Sequence, residues 1–549
     1  MELIVEDAEF VTMAAGTGPA QGMLAQGMLV RDGRIAAVGP AEAVRAAASA
    51  GALTARLDGA TVIPGLIDAH CHVCDVGYLA AAADCSQPSA PDIPAIQARL
   101  REAADRTPEG SWVTGGGYVE YKLREGRHPT RADLDQAVPN RPAVVYHTSL
   151  HACALNTAAL REAGFADREP DPPGGAFGRD REGRLDGVVF EGPMFTLFER
   201  NLRHDLARMG AARSAGVVEV ASARLAALGL TAACEADMRR YSFGAFAEAD
   251  ESGLLSQRIY GLVVHDQVDS LIGAGAAREA QGMLPGRRSG RLAAEAVKIW
   301  ADGAMSSRTA AIHGSYPVPP YGSGLLYFER DELTEMVRDF DARGFQVCIH
   351  AQGDRAIEAV LDAYAAVTAG TAGNPRRHRI EHGGAMYPPL AARAAALGIV
   401  VASQPGFMST LGDGFAAAFG DRGHDLYAFR SWRQAGITVA GSSDAPVITA
   451  DPLLGIRDAI LRRTGDGLVL GPAERLPARD ALELYTTQAA FAMHRESEIG
   501  SLEPGKLADF VVLDRSPLRT DPERITDIRV LATVLGGTPV YQSESIFAG

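Results

Sequence analysis

Along the chain, short apolar runs of strand length recur between stretches rich in alanine, leucine and arginine with helical periodicity. Eight runs stand out: TVIPGLIDAHCHV, TAACEAD, RIYGLVVH, AVKIWADG, QVCIHAQGD, HRIEHGG, IVVASQP and ITVAGSSDAP. Continuous apolar runs, each followed by a helical pattern, predict parallel strands covered by helices, and eight of them predict an α/β fold of the TIM (β/α)8 barrel type. The start of the chain (LIVEDAEFVTM, GMLVRDGRIAAVG) and its end (GKLADFVVLD, RVLATVLGGTPVY) instead read as short strands, the first set parted by an Asp-Gly turn. Both ends are therefore expected to complete one β-sandwich domain around the middle.

The division expected is residues 1–59 and 491–549 for the sandwich, 60–74 for barrel strand 1, 75–220 for a large insertion after that strand, and 221–490 for the rest of the barrel. The insertion is too long for a connecting loop and has strand candidates of its own (SWVTGGGY, PAVVYHTSL), so it is expected to act as a lid and substrate domain.

Composition narrows the function classes. With 47% hydrophobic and 22% charged residues the chain can build a large core and is not a disordered type. A net charge of -15 disfavours nucleic acid and anionic lipid as partners. The acidic first residues lack the pattern of a secretory signal, and apolar runs such as LAALGLTAAC are too short to span a bilayer. The expected protein is cytoplasmic, off the membrane, acts on a small molecule and forms a homo-oligomer, a dimer being the commonest kind. Six cysteines make no disulfide scaffold in a chain this long, and Cys71, Cys74, Cys234 and Cys348 fall in segments that read as strands.

Candidate chemistry gathers where catalytic groups of a barrel belong, at the C-terminal strand ends. His70 and His72 are two apart, which on a strand puts both imidazoles on one face, as two ligands of one metal require. Thirteen histidines in 549 residues would produce about 0.3 such pairs by chance, so the pair carries weight mainly through its place after VIPGLID. His350 and His382 end two further strands. Lys298, inside an apolar strand, must bury its ammonium, which demands either an anionic partner such as Asp302 or Glu235 or reaction with CO2 to a carbamate that can bridge cations. Asp444 closes the last strand and can ligate a metal or accept a proton, or else cap the following helix. In metal-assisted hydrolysis the cation acidifies water and polarises the carbonyl while a carboxylate handles the proton.

The segments PGLIDAHCH, LHACALNTAAL, VKIWADGAMSSRTA, IHAQGDRAI, RIEHGG, SQPGF, GSSDAPV with DPLLGI, and EIGSLEPGKLADFVVLD together resemble the amidohydrolase superfamily, specifically its family 3 or YtcJ-like branch, which includes N-substituted formamide deformylase. The resemblance implies a distorted TIM-barrel metallo-hydrolase beside a β-sandwich, with one or two divalent ions, commonly zinc. It implies that His70, His72 and Asp444 hold the first metal, that His350 and His382 hold the second, that a carboxylated Lys298 bridges them, and that Asp444 is the general base. His151 and Glu191 match further family segments and are expected to face substrate, although His151 could cap a helix near Leu155 and Glu191 could be a solvated loop acid. Arg308 is expected to meet a substrate anion or form a structural salt bridge, and the loops near Trp300, His313 and Tyr316 to shape the pocket. The function implied is hydrolysis of a C–N bond in an amide, N-formyl or cyclic amide. The alternatives are a one-metal deaminase or an esterase or lactonase on the same barrel, and, in another class, a non-catalytic metal-binding regulatory protein.

Overall fold

A computed structural model describes residues 2–14, 25–172, 174–272, 290–316, 322–369, 373–544 and 546–547. Its centre is a parallel sheet of eight strands that follow one another in chain order. They are β1 (Leu66–Cys71), β2 (Leu230–Met238), β3 (Arg258–Val264), β4 (Leu292–Trp300), β5 (Gln346–Ala351), β6 (Arg379–His382), β7 (Val400–Ser403) and β8 (Thr438–Gly441). All eight coincide with the apolar runs of the sequence, because a strand covered on both faces needs no polar alternation.

The barrel is nearly closed. β1 and β8 lie at the two ends of the ladder, and the seam between them is drawn together just above the strands. There Asp444 N–H donates to the His70 carbonyl at 2.8 Å, His72 N–H donates to the Ala445 carbonyl at 2.8 Å, and the Ser443 hydroxyl donates to Asp68 at 2.5 Å. The same contacts that close the seam therefore bring the two ends of the candidate ligand set together.

Helices cover the barrel through apolar faces at three- and four-residue spacing. Asp354–Thr368, after β5, buries Ile357, Val360, Leu361 and Tyr364, and Ala211–Ala227, which leads into β2, buries Ala215, Val218, Ala221 and Leu225. Inside the barrel the layers are built largely from small residues, among them Ala69, Ala232, Ala293, Ala296, Ala402 and Ala440. Barrel interiors are usually filled by branched apolar side chains; here the small ones leave room for the fully buried Arg379.

Both chain ends build one eight-stranded sheet, with Phe510–Leu513 paired antiparallel to Thr61–Pro64, which in turn pairs with Glu2–Phe10. Glu2–Phe10 is flanked on one edge by two strands in succession, Leu53–Arg56 and Thr61–Pro64. The sheet branches there and encloses a core of Val5, Phe10, Met28, Val30, Phe510, Val512 and Val534. A two-pronged ion pair from Arg258 on β3 to Asp509, at 2.7 and 3.0 Å, fastens this sheet to the barrel.

Between β1 and β2 the chain forms a separate six-stranded sheet running from Ala83–Asp84 to Leu185–Glu191. All six cysteines are free and buried. Cys74, expected in a strand, lies instead in the helix Val73–Leu79, because the chain turns as soon as it leaves β1.

Candidate metal centre

Each candidate ligand stands at the same rim. His70 is on β1 and His72 is the residue before the helix Val73–Leu79. Lys298 is on β4, His350 on β5 and His382 at the end of β6. Asp444 lies three residues beyond β8 with φ of 59°, a left-handed conformation costly for a non-glycine residue that turns its carboxylate back over the barrel mouth. It does not cap the next helix, Pro452–Leu461, whose N-terminus is capped by Asp451.

Asp444 Oδ1 is the meeting point, 3.3 Å from His70 Nε2 and 3.2 Å from His72 Nε2. One ligand atom from each of these three residues falls within 4.8 Å of the others, which is the spacing of donors around a single cation. The His382 ring stands 4.8 Å from that of His70 and 4.5 Å from that of His350, extending the cluster along the rim. Two imidazole nitrogens and a carboxylate oxygen are a donor set that suits zinc. Among the described residues His70 Nε2 and Lys298 Nζ are buried without a hydrogen-bond partner, as expected of groups arranged for a cation or a modified amine.

What lies behind each imidazole decides which nitrogen it offers. His70 Nδ1 contacts Glu381, whose carboxylate is gripped by Arg379 Nε at 2.6 Å and Nη2 at 2.9 Å. Burial works against the charge on Glu381, but Arg379 and His70 outweigh it and hold the carboxyl well below the usual range. Glu381 is therefore an acceptor, Nδ1 of His70 carries the proton, and the lone pair is on Nε2. His382 Nδ1 donates at 2.9 Å to Gln404 Oε1, which likewise leaves Nε2 as its free lone pair. His350 is reversed: Nε2 donates at 3.0 Å to the Gly303 carbonyl, leaving Nδ1.

Burial drives His382 down to about 3 and His350 well below its ordinary value, so both are neutral, the form that binds metal. Burial also works against ionised Asp444, but the neighbouring imidazoles of His382, His70 and His72 hold it well below the carboxylate range. Because His382 is itself neutral near pH 7, the hydrogen bond from His72 Nε2 at 3.2 Å is the part that acts there. For His72 the same bond reverses the effect of burial and pushes it up to about 9.

Lys298 is fully buried, and burial pulls its ammonium below its ordinary value even though Glu381 and Asp444 partly offset this. Neither acid expected beside it is its partner. Glu235 accepts from Cys74 N–H at 2.9 Å and Asp237 N–H at 3.2 Å, and Asp302 accepts from Ala311, Gln352 and Gly353 N–H at 2.9 to 3.0 Å. Both carboxylates brace backbone, while Lys298 Nζ lies 5.0 Å from the Trp300 ring centre.

The rim opens into a cavity of about 490 Å³ lined by these groups and, on its apolar wall, by Met194, Phe195, Phe198, Trp300 and Phe328. His151 lines it too, its ring 5.8 Å from that of His350. His151 is not a cap, since Asn156 caps the nearby helix Thr157–Ala163. Glu191 is not a solvated loop acid: it is fully buried, accepts from Tyr327 Oη at 2.6 Å and from Thr309, and meets His151 Nδ1 at 2.7 Å. It borders the cavity through His151 and Tyr327, which both line it. Arg308 is placed elsewhere: its φ of 59° turns it to a neighbouring cavity with Glu120 and His147, and it forms no ion pair among the described residues. His313 is turned outward to Glu358 at 3.0 Å and Tyr316 is buried against the Ala310 carbonyl, so of that group only Trp300 shapes the pocket.

Sequence reasoning missed Arg379, Glu381, Gln404 and Tyr327. RIEH and SQPGF contain three of them, and a charged pair two apart inside an otherwise apolar strand was the available signal for Arg379 and Glu381. Tyr327 carries no such signal.

Comparison with known proteins gives a consistent picture. The amidohydrolase family model matches residues 56–541. N-substituted formamide deformylase of Arthrobacter pascens is 31% identical over 540 residues, covering 98% of this chain and 99% of that protein. The Bacillus subtilis protein carrying the name amidohydrolase YtcJ is 30% identical over 497 residues, 89% of this chain and 90% of that one. An uncharacterized metal-dependent hydrolase of Pyrococcus horikoshii has the same fold, with a TM-score of 0.77 at 23% identity over 95% of this chain and 99% of that chain.

Proposed function

The chain belongs to the amidohydrolase family and is a metal-dependent hydrolase of that class, and from this premise we propose that it cleaves a C–N bond in an amide, N-formyl or cyclic amide, with Asp444 as general base. The observation that carries the reading is Asp444 itself, held ionised beside His72, whose Nε2 donates to it at 3.2 Å, and turned over the barrel mouth. His70, His72 and Asp444 would hold one divalent ion, zinc by its donor set, and His350 with His382 a second. A cation held there would supply the acidity of the attacking water and polarise the scissile carbonyl.

The chain's own groups do the rest. Asp444 takes the proton of the water and returns it to the leaving nitrogen, which departs as a neutral amine. The aromatic wall of Phe195, Phe198, Trp300 and Phe328 suits an apolar substituent on that nitrogen, and it excludes bulk water from the reacting atoms. His151, its tautomer set by Glu191, faces the substrate from the insertion side. Lys298, buried and destabilised as an ammonium, reacts as the neutral amine with CO2, forming an N–C bond and losing one proton to give a carbamate that replaces a buried cation by an anion.

A one-metal reading, as a deaminase or an esterase or lactonase, has one observation in its favour: His70, His72 and Asp444 form a three-ligand group without His350. An unmodified Lys298 and a single ion in anomalous scattering would select it. No helix among the described residues is long and apolar enough to cross a membrane. The buried free thiols fit a reducing cytoplasm, and the assembly proposed is a homodimer, checked by light scattering. The test of the general base is Asp444→Asn assayed on a panel of N-alkyl and N-aryl formamides. A loss in kcat on the order of 10³-fold is expected; unchanged kcat would remove Asp444 from the chemistry.

A further inference from the structure

At the opposite end of the barrel from the metal centre, around the first residues of β5 and β6, lies a second cavity of about 260 Å³. Arg379 reaches it from inside the barrel. Its Nε and Nη2 are occupied by Glu381, and Nη2 also donates to the Ala69 carbonyl at 2.9 Å. The remaining nitrogen, Nη1, is buried and has no hydrogen-bond partner among the described residues, on a side chain with no exposed surface. Glu295 lines the same cavity. Its Oε2 is held by Arg495, while its Oε1 is buried and likewise lacks a hydrogen-bond partner among the described residues.

One cavity thus holds a charged donor and a charged acceptor, both unsatisfied, and leaving either so is costly. Three guanidinium groups line it, those of Arg376, Arg379 and Arg495, against the single carboxylate of Glu295, because the acids that pair with Arg376 and Arg379 lie outside the lining. A cation would meet three like charges. A fully deprotonated anion such as formate or chloride would meet Glu295 Oε1 with nothing to donate to it. A small oxyanion that keeps one acidic proton meets both requirements.

We propose that the base of the barrel is a binding site for such an oxyanion, hydrogencarbonate being the smallest, with Arg379 Nη1 donating to its charged oxygens and its hydroxyl donating to Glu295 Oε1. Arg379 is also the group that clamps Glu381 against His70, so the occupant sits one guanidinium and one carboxylate away from a candidate metal ligand. The site does not depend on which bond the enzyme cuts.

The test is a crystal structure of the full-length metal-loaded enzyme grown in sodium hydrogencarbonate, beside one grown in sodium chloride of equal ionic strength. Location matters, because hydrogencarbonate can also reach the metal centre or supply the carbamate of Lys298. The expected result is planar three-oxygen density against Arg379 Nη1 with one oxygen on Glu295 Oε1, absent in chloride. Ordered water alone in the cavity, or chloride bound there equally well, would overturn the proposal. Glu295→Gln provides an independent readout: with the acceptor charge gone, formate should enter the same cavity in crystals of the variant while remaining excluded from the wild type. Formate in both proteins, or in neither, would count against the role given to Glu295 Oε1.

Discussion

At the scale of single residues, a metal-binding imidazole depends on what grips its other nitrogen. For His70 that group is Glu381, itself held by Arg379. Glu381→Gln keeps the shape and removes the charge, and should weaken metal binding by about 10- to 100-fold in competition against a chromophoric chelator; unchanged affinity would reduce Glu381 to a packing role. His378, away from the metal rim, gives a prediction in pH. Its Nδ1 accepts from Val347 N–H at 3.0 Å, which needs an unprotonated nitrogen, and burial lowers its pKa from 6.5. A histidine depressed in the folded state contributes stability that is fully present above its unfolded pKa and lost as pH falls below it. Denaturant midpoints should therefore drop from about pH 6.5 downward, and His378→Gln should flatten that part of the profile. The histidines and Asp444 were legible because each ends an apolar run. Arg379 and Glu381 show in the sequence as a charged pair inside an apolar run, but that they grip each other beneath His70 depends on closure of the barrel, which the run does not record.

At the scale of elements, the insertion and the loop after β4 are joined by a single carboxylate. Glu191 ends the strand Leu185–Glu191, while Thr309 and Tyr327 belong to the chain beyond β4, and together they fix His151 at the cavity edge. Tyr327→Phe deletes one hydrogen bond to a buried charge and leaves those of His151, Thr309 and Ser307. It should lower kcat/KM on the order of ten-fold with metal content unchanged. An equal loss of metal would instead mean that the change spreads to the rim. The eight barrel strands and the strand character of both chain ends were readable from periodicity. The turn at Cys74, the orientation of Arg308 and the latch at Glu191 were not: each depends on a local backbone bend or on a partner more than a hundred residues away, and hydrophobic spacing records neither.

At the scale of the whole molecule, the chain ends form a sheet fastened to β3 by Arg258 and Asp509, the insertion closes over one side of the mouth, and the seam between β1 and β8 is joined by the backbone of His70, His72, Asp444 and Ala445. The first and last barrel strands are joined by backbone hydrogen bonds at the ligands themselves, so the metal centre and the closure of the fold share the same residues. In the mechanism proposed, hydrolysis depends on a cation held by His70, His72 and Asp444. That dependence is tested most directly by stripping the enzyme with a chelator and following hydrolysis of an N-aryl formamide while zinc is returned in known increments. Activity should be absent from the stripped protein and should rise linearly with bound metal to a break at one or two equivalents, whereas full activity without metal would contradict it.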